Sequence, residues 1–152
     1  MKPILRKTIL LSIFLFLTSA DAEESYSFGL GMGTSYSGLG VNISQRSESD
    51  MKYLSAGCVG YSSIFGSACG AGVGWIRTDL FETNSNKHGF GAYLGVVGSK
   101  SKFRGVSYDK KAKYGVGIGY HYFFSGISES GANIGLTLVS DNAALLQWGY
   151  QF

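Results

Sequence analysis

The sequence predicts an all-β protein of 152 residues, built as an antiparallel up-and-down barrel of eight strands. Large apolar residues recur at every second position over most of the chain, which is the period of a β-strand with two different faces. The segments between these stretches are rich in Ser, Asn, Asp and Gly, the residues typical of turns. No segment shows the period of an amphipathic helix. These three observations favour strands throughout.

Each predicted strand rests on its own run of alternating residues, except the third, where both faces between residues 54 and 61 carry apolar or small side chains. In chain order the strands are expected near 25–33, 36–46, 51–62, 66–78, 88–98, 112–124, 132–140 and 143–152. Their apolar faces are Tyr26, Phe28, Leu30 and Met32; Leu39, Val41 and Ile43; Cys69, Ala71, Val73 and Trp75; Phe90, Ala92, Leu94 and Val96; Tyr114, Val116, Ile118, Tyr120 and Tyr122; Ile134, Leu136 and Leu138; and Leu146, Trp148, Tyr150 and Phe152.

The opposite face of these strands is mostly glycine and small neutral residues. Glycine destabilises a strand by roughly 0.5–1 kcal/mol relative to alanine, so its repeated use needs a reason. The crowded interior of an eight-stranded barrel provides one. The large apolar residues then point outward, which is stable only in lipid, where a closed barrel pairs every backbone polar group. The prediction is therefore a transmembrane barrel whose last strand pairs with its first.

Residues 1–22 are interpreted as a cleaved signal peptide, with residues 23–152 as the barrel domain. Three basic residues in the first seven positions precede an apolar run from Ile9 to Leu17, and the small-x-small sequence Ala20-Asp21-Ala22 follows. The apolar run is shorter than the roughly 20 residues of a transmembrane helix, although an uncleaved anchor is the alternative. Cleavage lowers the formal charge from +3 to +1, and this nearly neutral charge gives no support for binding to nucleic acid.

The C-terminal stretch LLQWGYQF resembles the terminal signature of bacterial outer-membrane β-barrels, which typically end on Phe after alternating apolar or aromatic residues. Together with the signal peptide and the eight strands, it makes the chain similar to the small OmpA/OmpX/OmpW-like barrels. This resemblance implies a Gram-negative outer-membrane location with both termini periplasmic and contact with membrane lipids. It also implies that the barrel-assembly machinery recognises four residues, Leu146, Trp148, Tyr150 and Phe152.

Histidine is the residue type that could mark an enzyme here. A membrane-embedded lipid-modifying hydrolase of the PagL-like kind would carry a His and a Ser two positions apart on one strand. Two positions after His121 comes Phe123, and Ser125 lies beyond it. His121 alternates with the glycine face, so a hydrogen-bonded histidine inside the barrel is expected. We expect a non-enzymatic protein without cofactor. The hydrolase and a soluble secreted β-sandwich with Phe152 buried are the alternatives.

The two cysteines flank a predicted turn. If residues 63 and 64 form a two-residue turn, Cys58 and Cys69 lie opposite each other on neighbouring strands. An oxidising compartment and an even number of cysteines favour a disulfide, although two reduced packing residues are the alternative. Two cysteines without clustered histidines fall short of a metal site.

The segment from Lys100 to Lys113 is strongly basic and is expected to form an external loop. Lys and Arg bind phosphate well, so the loop is a candidate contact for lipopolysaccharide, with a merely solvated loop as the alternative. The expected role of the protein is structural, surface interaction or narrow passage. The candidate contact residues are Lys100, Lys102, Arg104, Lys110, Lys111 and Lys113.

Overall fold

Eight antiparallel strands form a closed barrel in the computed structural model, which describes residues 24–62, 66–80, 85–104 and 107–152. The predicted signal peptide at residues 1–22 lies outside the described residues. Every strand is hydrogen-bonded to its neighbours in the sequence, and the last pairs with the first. The strands are β1 (Ser25–Gly33), β2 (Gly38–Arg46), β3 (Asp50–Ser62), β4 (Gly66–Arg77), β5 (His88–Arg104), β6 (Ser107–Phe123), β7 (Gly131–Val139) and β8 (Ala143–Gln151).

The barrel closes between β1 and β8. Leu30 pairs with Tyr150 and Met32 with Trp148 in an antiparallel register, and the backbone N–H of Phe152 donates to the carbonyl of Phe28 at 2.8 Å. The prediction of an all-β, eight-stranded up-and-down barrel is therefore confirmed. The alternative of a two-sheet sandwich with a buried terminal residue is wrong, because the sheet is a single closed one and Phe152 is 56% exposed.

Up-and-down topology divides the connections between two ends of the barrel. The end that holds the β1–β2, β3–β4, β5–β6 and β7–β8 connections is called the hairpin end here. The end that holds Ser25, Gln151 and the remaining connections is called the terminal end. Within the described parts of the chain, no helix has the length and apolar character needed to cross a bilayer.

The segment predicted as a basic loop is largely strand. β5 continues to Arg104 and β6 begins at Ser107, so that residues 99–104 and 107–112 form a hairpin beyond a register shift between Val96 and Gly98. The loop prediction failed because a hairpin that extends beyond the barrel has no apolar core to face. Such a hairpin needs no apolar alternation, and its Ser and Lys content resembles that of a loop.

The faces of the barrel strands agree with the predicted alternation except at Val96. This residue was expected to point outward, but it is 2% exposed, next to the register shift in β5. Inward positions are glycine, small or polar residues together with a cluster of buried apolar side chains, and outward positions are large and apolar. The inward glycines leave room for neighbouring side chains. A Cβ added to Gly149, for example, would lie 2.6 Å from Cε2 of Tyr36. The apolar cluster consists of Met51, Tyr53, Ile76, Tyr93, Val97, Phe123, Ile127 and Val139.

Candidate functional site

The connection between β1 and β2 folds into the barrel. Thr34–Tyr36 form one turn of 3-10 helix, and Ser37 follows in a left-handed conformation with φ 54°. All four residues are at most 2% exposed. The flanking residues Gly33 and Gly38 have φ values of 112° and 104°, which side-chain-bearing residues rarely adopt. Glycine at both positions therefore allows the chain to turn inward, and we call Thr34–Ser37 the inward turn.

Gln147 of β8 holds the inward turn. Its Oε1 accepts hydrogen bonds from Thr34 Oγ1 at 3.1 Å, from Ser35 Oγ at 2.9 Å and from the Ser35 backbone N–H at 3.3 Å. Its Nε2 lies 2.8 Å from His121 Nδ1. Because an amide nitrogen can only donate, Nδ1 accepts this bond. A single glutamine thus connects the inward turn to β6.

A second set of hydrogen bonds surrounds Tyr36. Asn133 Nδ2 donates to the Tyr36 hydroxyl at 3.0 Å, and Asn42 Nδ2 donates to the Ser35 carbonyl at 2.9 Å. Gln151 Nε2 donates to Asn42 Oδ1 at 3.1 Å. The buried polar groups of β1, β2, β7 and β8 are therefore bonded to each other and to the inward turn, which occupies the space between them.

His121 lies inside the barrel, as the alternation predicts, and is 3% exposed. Its hydrogen-bond partner is an amide, whereas catalysis by a Ser–His pair needs a hydroxyl and a carboxylate around the imidazole. Glu129, the first acidic residue after His121 in the sequence, lies in the β6–β7 connection, where its backbone carbonyl oxygen accepts a hydrogen bond from Arg46 at 2.6 Å. Among the residues that the structure describes, no group of three His, Cys, Asp or Glu side chains is placed to hold a metal ion.

The disulfide between Cys58 and Cys69 is present, with the sulfurs 2.00 Å apart. The two residues lie opposite each other in the β3–β4 register, as predicted. The proposed two-residue turn is wrong, because the register shifts after Val59 and Ser62 pairs with Gly66. The bridge therefore links the two strands of this hairpin below its tip, at the hairpin end of the barrel.

The six basic residues of the β5–β6 hairpin do not act alike. Lys113 forms an ion pair with Asp141, and Lys110 Nζ donates to the carbonyl of Gly60. These two lysines attach the hairpin to its neighbours. Lys100 lies directly opposite Lys111, and both are exposed. The side chains of the remaining two, Lys102 and Arg104, lie outside the described residues.

The four residues of the predicted assembly signal all point outward from β8 and its end. Leu146, Trp148, Tyr150 and Phe152 are exposed. The ring of Phe152 lies 4.9 Å from that of Tyr150 and 6.3 Å from that of Phe28. The last two aromatic residues therefore form one outward cluster with β1 across the point where the barrel closes.

The inward turn is the feature that sequence reasoning missed, since the second strand was expected to begin at residue 36. Two glycines that enclose four residues, three of them small and polar, were its sequence signal.

No protein-family model matches this chain, and neither a curated protein nor a solved structure shows significant similarity to it.

Proposed function

We propose that the chain is an integral β-barrel of the bacterial outer membrane, exported with residues 1–22 as its signal peptide and acting without catalysis at the cell surface. The observation that carries the proposal is the outer face of the barrel, where large apolar side chains from all eight strands are exposed. A soluble monomer rarely exposes a contiguous apolar patch larger than a few hundred Å². In a bilayer the same surface is covered by lipid.

Aromatic residues near the terminal end support this proposal. Tyr120 lies 5.3 Å from Phe90 between ring centroids, and Tyr122 lies 5.1 Å from Phe124. Phe152 and Tyr150, at the end of β8, lie together at the same end of the barrel. Transmembrane barrels carry such aromatic girdles where the apolar band meets the headgroups. The terminal end therefore corresponds to one membrane interface, which we assign to the periplasmic side.

The filled interior favours a surface role over passage of solutes. An eight-stranded barrel has room inside for little beyond its own side chains. Here the inward turn and its hydrogen-bonded partners take part of that space, and the apolar cluster around Met51 and Phe123 takes more. The barrel then serves to anchor the β3–β4 and β5–β6 hairpins outside the membrane.

The surface contact we propose is with the phosphates of lipopolysaccharide. Lys100 and Lys111 face each other across the β5–β6 hairpin, so both ammonium groups can contact one phosphate. The bonds of Lys110 and Lys113 hold the hairpin in place and so orient that pair. In the proposed orientation this hairpin lies next to the outer leaflet, where lipopolysaccharide is found.

A charge placed on the outer face tests the membrane location. Ile118 is 68% exposed, so replacing it with Lys would change the stability of a soluble protein by no more than about 0.5 kcal/mol. On the lipid face of a barrel the same change costs roughly 2–4 kcal/mol near the midplane. The matched control is Ser101→Lys on the β5–β6 hairpin, which adds the same charge outside the apolar outer face of the barrel.

The assay combines envelope fractionation with gel electrophoresis of boiled and unboiled samples. We expect the unaltered protein in the outer-membrane fraction with a heat-dependent shift in mobility, Ile118→Lys to lower the folded fraction, and Ser101→Lys to leave it unchanged. Recovery in the soluble fraction without a heat-dependent shift, or equal behaviour of the two variants, would contradict the proposal.

Charge reversal tests the lipopolysaccharide contact. The double variant Lys100→Glu, Lys111→Glu leaves Lys110 and Lys113 in place, so their contacts with Gly60 and Asp141 are kept. We expect weaker binding of purified lipopolysaccharide, with a loss that shrinks at high salt because exposed charges are screened over about 8 Å at physiological ionic strength. Lys87→Glu, at the terminal end, is the control. Unchanged lipopolysaccharide binding in the double variant would contradict the proposed contact and indicate that the hairpin is only solvated.

A further inference from the structure

A groove runs along the outer face of the barrel, from the row of residues that contains Ile118 towards the terminal end. It has a volume of about 650 Å³ and is lined mainly by apolar side chains. The strand register explains its shape. Trp75, Ala92, Ile118 and Leu138 lie side by side on β4, β5, β6 and β7. The small side chain of Ala92 between two large ones leaves a trough in the surface.

The positively charged side chain of Arg77 lies at one edge of the groove. The neighbouring row of residues, one step closer to the terminal end, begins with Arg77 on β4. The Arg77 guanidinium lies 5.5 Å from the centroid of the Trp75 ring, and its Nε donates to Asp79 Oδ1 at 2.8 Å. A second N–H of Arg77 also bonds to Asp79. Stacking and pairing therefore hold the guanidinium in one place.

The guanidinium keeps capacity for a further ligand. Arginine carries five N–H donors, and Asp79 takes two of them. The side chain of Arg77 is 41% exposed. The hydrogen bond from Arg77 lowers the pKa of the Asp79 carboxyl below its ordinary value, so Asp79 is ionised at neutral pH. The edge of the groove thus presents a fixed cation beside a fixed anion.

We infer that this groove binds one phospholipid molecule, with an acyl chain in the trough over Ala92 and the phosphate on Arg77. The inference rests on the proposed function, which places the terminal end at the periplasmic leaflet. Charge complementarity selects this occupant. A trough that is apolar along its length, with a guanidinium beside a carboxylate at one edge, matches an amphiphile with one phosphate at the end of a hydrocarbon chain. Asp79 beside Arg77 suits a headgroup that also carries an ammonium.

The two tryptophans of the chain provide the test, since the sequence contains only Trp75 and Trp148. Trp75 lines the groove, whereas Trp148 lies on β8, outside it. Trp148→Phe and Trp75→Phe therefore yield two proteins with one fluorophore each. Each is refolded into vesicles of phosphatidylcholine that contain a small fraction of phosphatidylethanolamine with brominated acyl chains, which quench tryptophan on contact. Quenching is normalised to that in fully brominated vesicles.

We expect the normalised quenching of Trp75 to exceed that of Trp148 several-fold at the low fraction of brominated lipid. Brominated diacylglycerol, which lacks the phosphate, is expected to give no excess. Arg77→Gln in the Trp75 protein is expected to remove the excess. Ala92→Leu, which fills the trough and leaves Arg77 intact, is expected to do the same, with folding verified by the heat-dependent mobility shift.

The outcomes separate this inference from the proposed function. Equal normalised quenching of the two tryptophans would overturn the inference, because Trp75 would then meet only bulk lipid. An excess that survives both variants would also overturn it. Shielding of Trp75 from every lipid, together with cross-linked dimers, would assign the groove to a second copy of the chain. Absence of quenching at both tryptophans in fully brominated vesicles would instead contradict the membrane location.

Discussion

Gln147 is the residue on which the filled interior depends, and Gln147→Met tests that dependence. Methionine has a similar length and volume, so the change leaves no cavity. It removes the acceptor of the Ser35 backbone N–H and the donor to His121 Nδ1. The Ser35 hydroxyl loses the same acceptor but keeps a hydrogen bond with Tyr53. Thr34 keeps its contact with Thr137, at 2.9 Å. A buried polar group without a partner costs about 1–3 kcal/mol, so two such groups predict a loss of about 2–6 kcal/mol.

The measurement is urea-induced unfolding of the protein in lipid vesicles, followed by tryptophan fluorescence. Leu146→Met is the matched control, because it introduces the same side chain at the adjacent, outward position of the same strand. We expect the control to change the free energy of unfolding by no more than about 0.5 kcal/mol. A loss in Gln147→Met no larger than that of the control would refute the claim that this glutamine holds the inward turn.

Three further predictions follow from the barrel closure, the hairpin end and the interior. Deletion of Phe152 should lower the amount of folded barrel in cells more than the roughly 1.5–3 kcal/mol from burial of one phenylalanine explains, and equal membrane levels would argue against an assembly signal. Replacing Cys58 and Cys69 with Ser should destabilise the protein by about 2–4 kcal/mol, measured as a lower urea midpoint, whereas an unchanged midpoint would leave the bridge without a stabilising role. Gly149→Ala should lower the free energy of unfolding by about 1–3 kcal/mol, because the new methyl group meets the Tyr36 ring. Adding Tyr36→Leu to this variant should restore part of the lost stability, and an unchanged stability of Gly149→Ala would contradict this packing.

Most of the fold could be predicted from alternation alone. A period of two is a local property, and the inward and outward faces that it assigned are confirmed, including the inward position of His121. Val96 is the exception, because the register shift beside it interrupts the alternation in β5. The cysteine pair was also predictable, since two neighbouring strands joined by a short turn bring opposite positions together. The extent of β5 and β6 was not, because residues 99–104 and 107–112 are rich in Ser and Lys and carry no alternating apolar pattern.

The candidate sites were less predictable than the fold. The basic residues were found by composition. The contacts of Lys110 with Gly60 and of Lys113 with Asp141, and the position of Lys100 opposite Lys111, depend on the register and on neighbouring hairpins. The outer groove could not be found either, since Ala92 matters only because other strands place large side chains around it.

The sequence by itself determined the strand count, the two faces of the sheet and the outward position of the terminal aromatic residues, because all of these follow from residue order along one strand. Only the tertiary structure decided what fills the barrel. The hydrogen bond between Thr34 and Thr137 joins residues 103 positions apart, and that between Ser35 and Gln147 joins residues 112 apart. Such pairs meet only after the barrel has closed, since closure sets which inward side chains face each other across the interior.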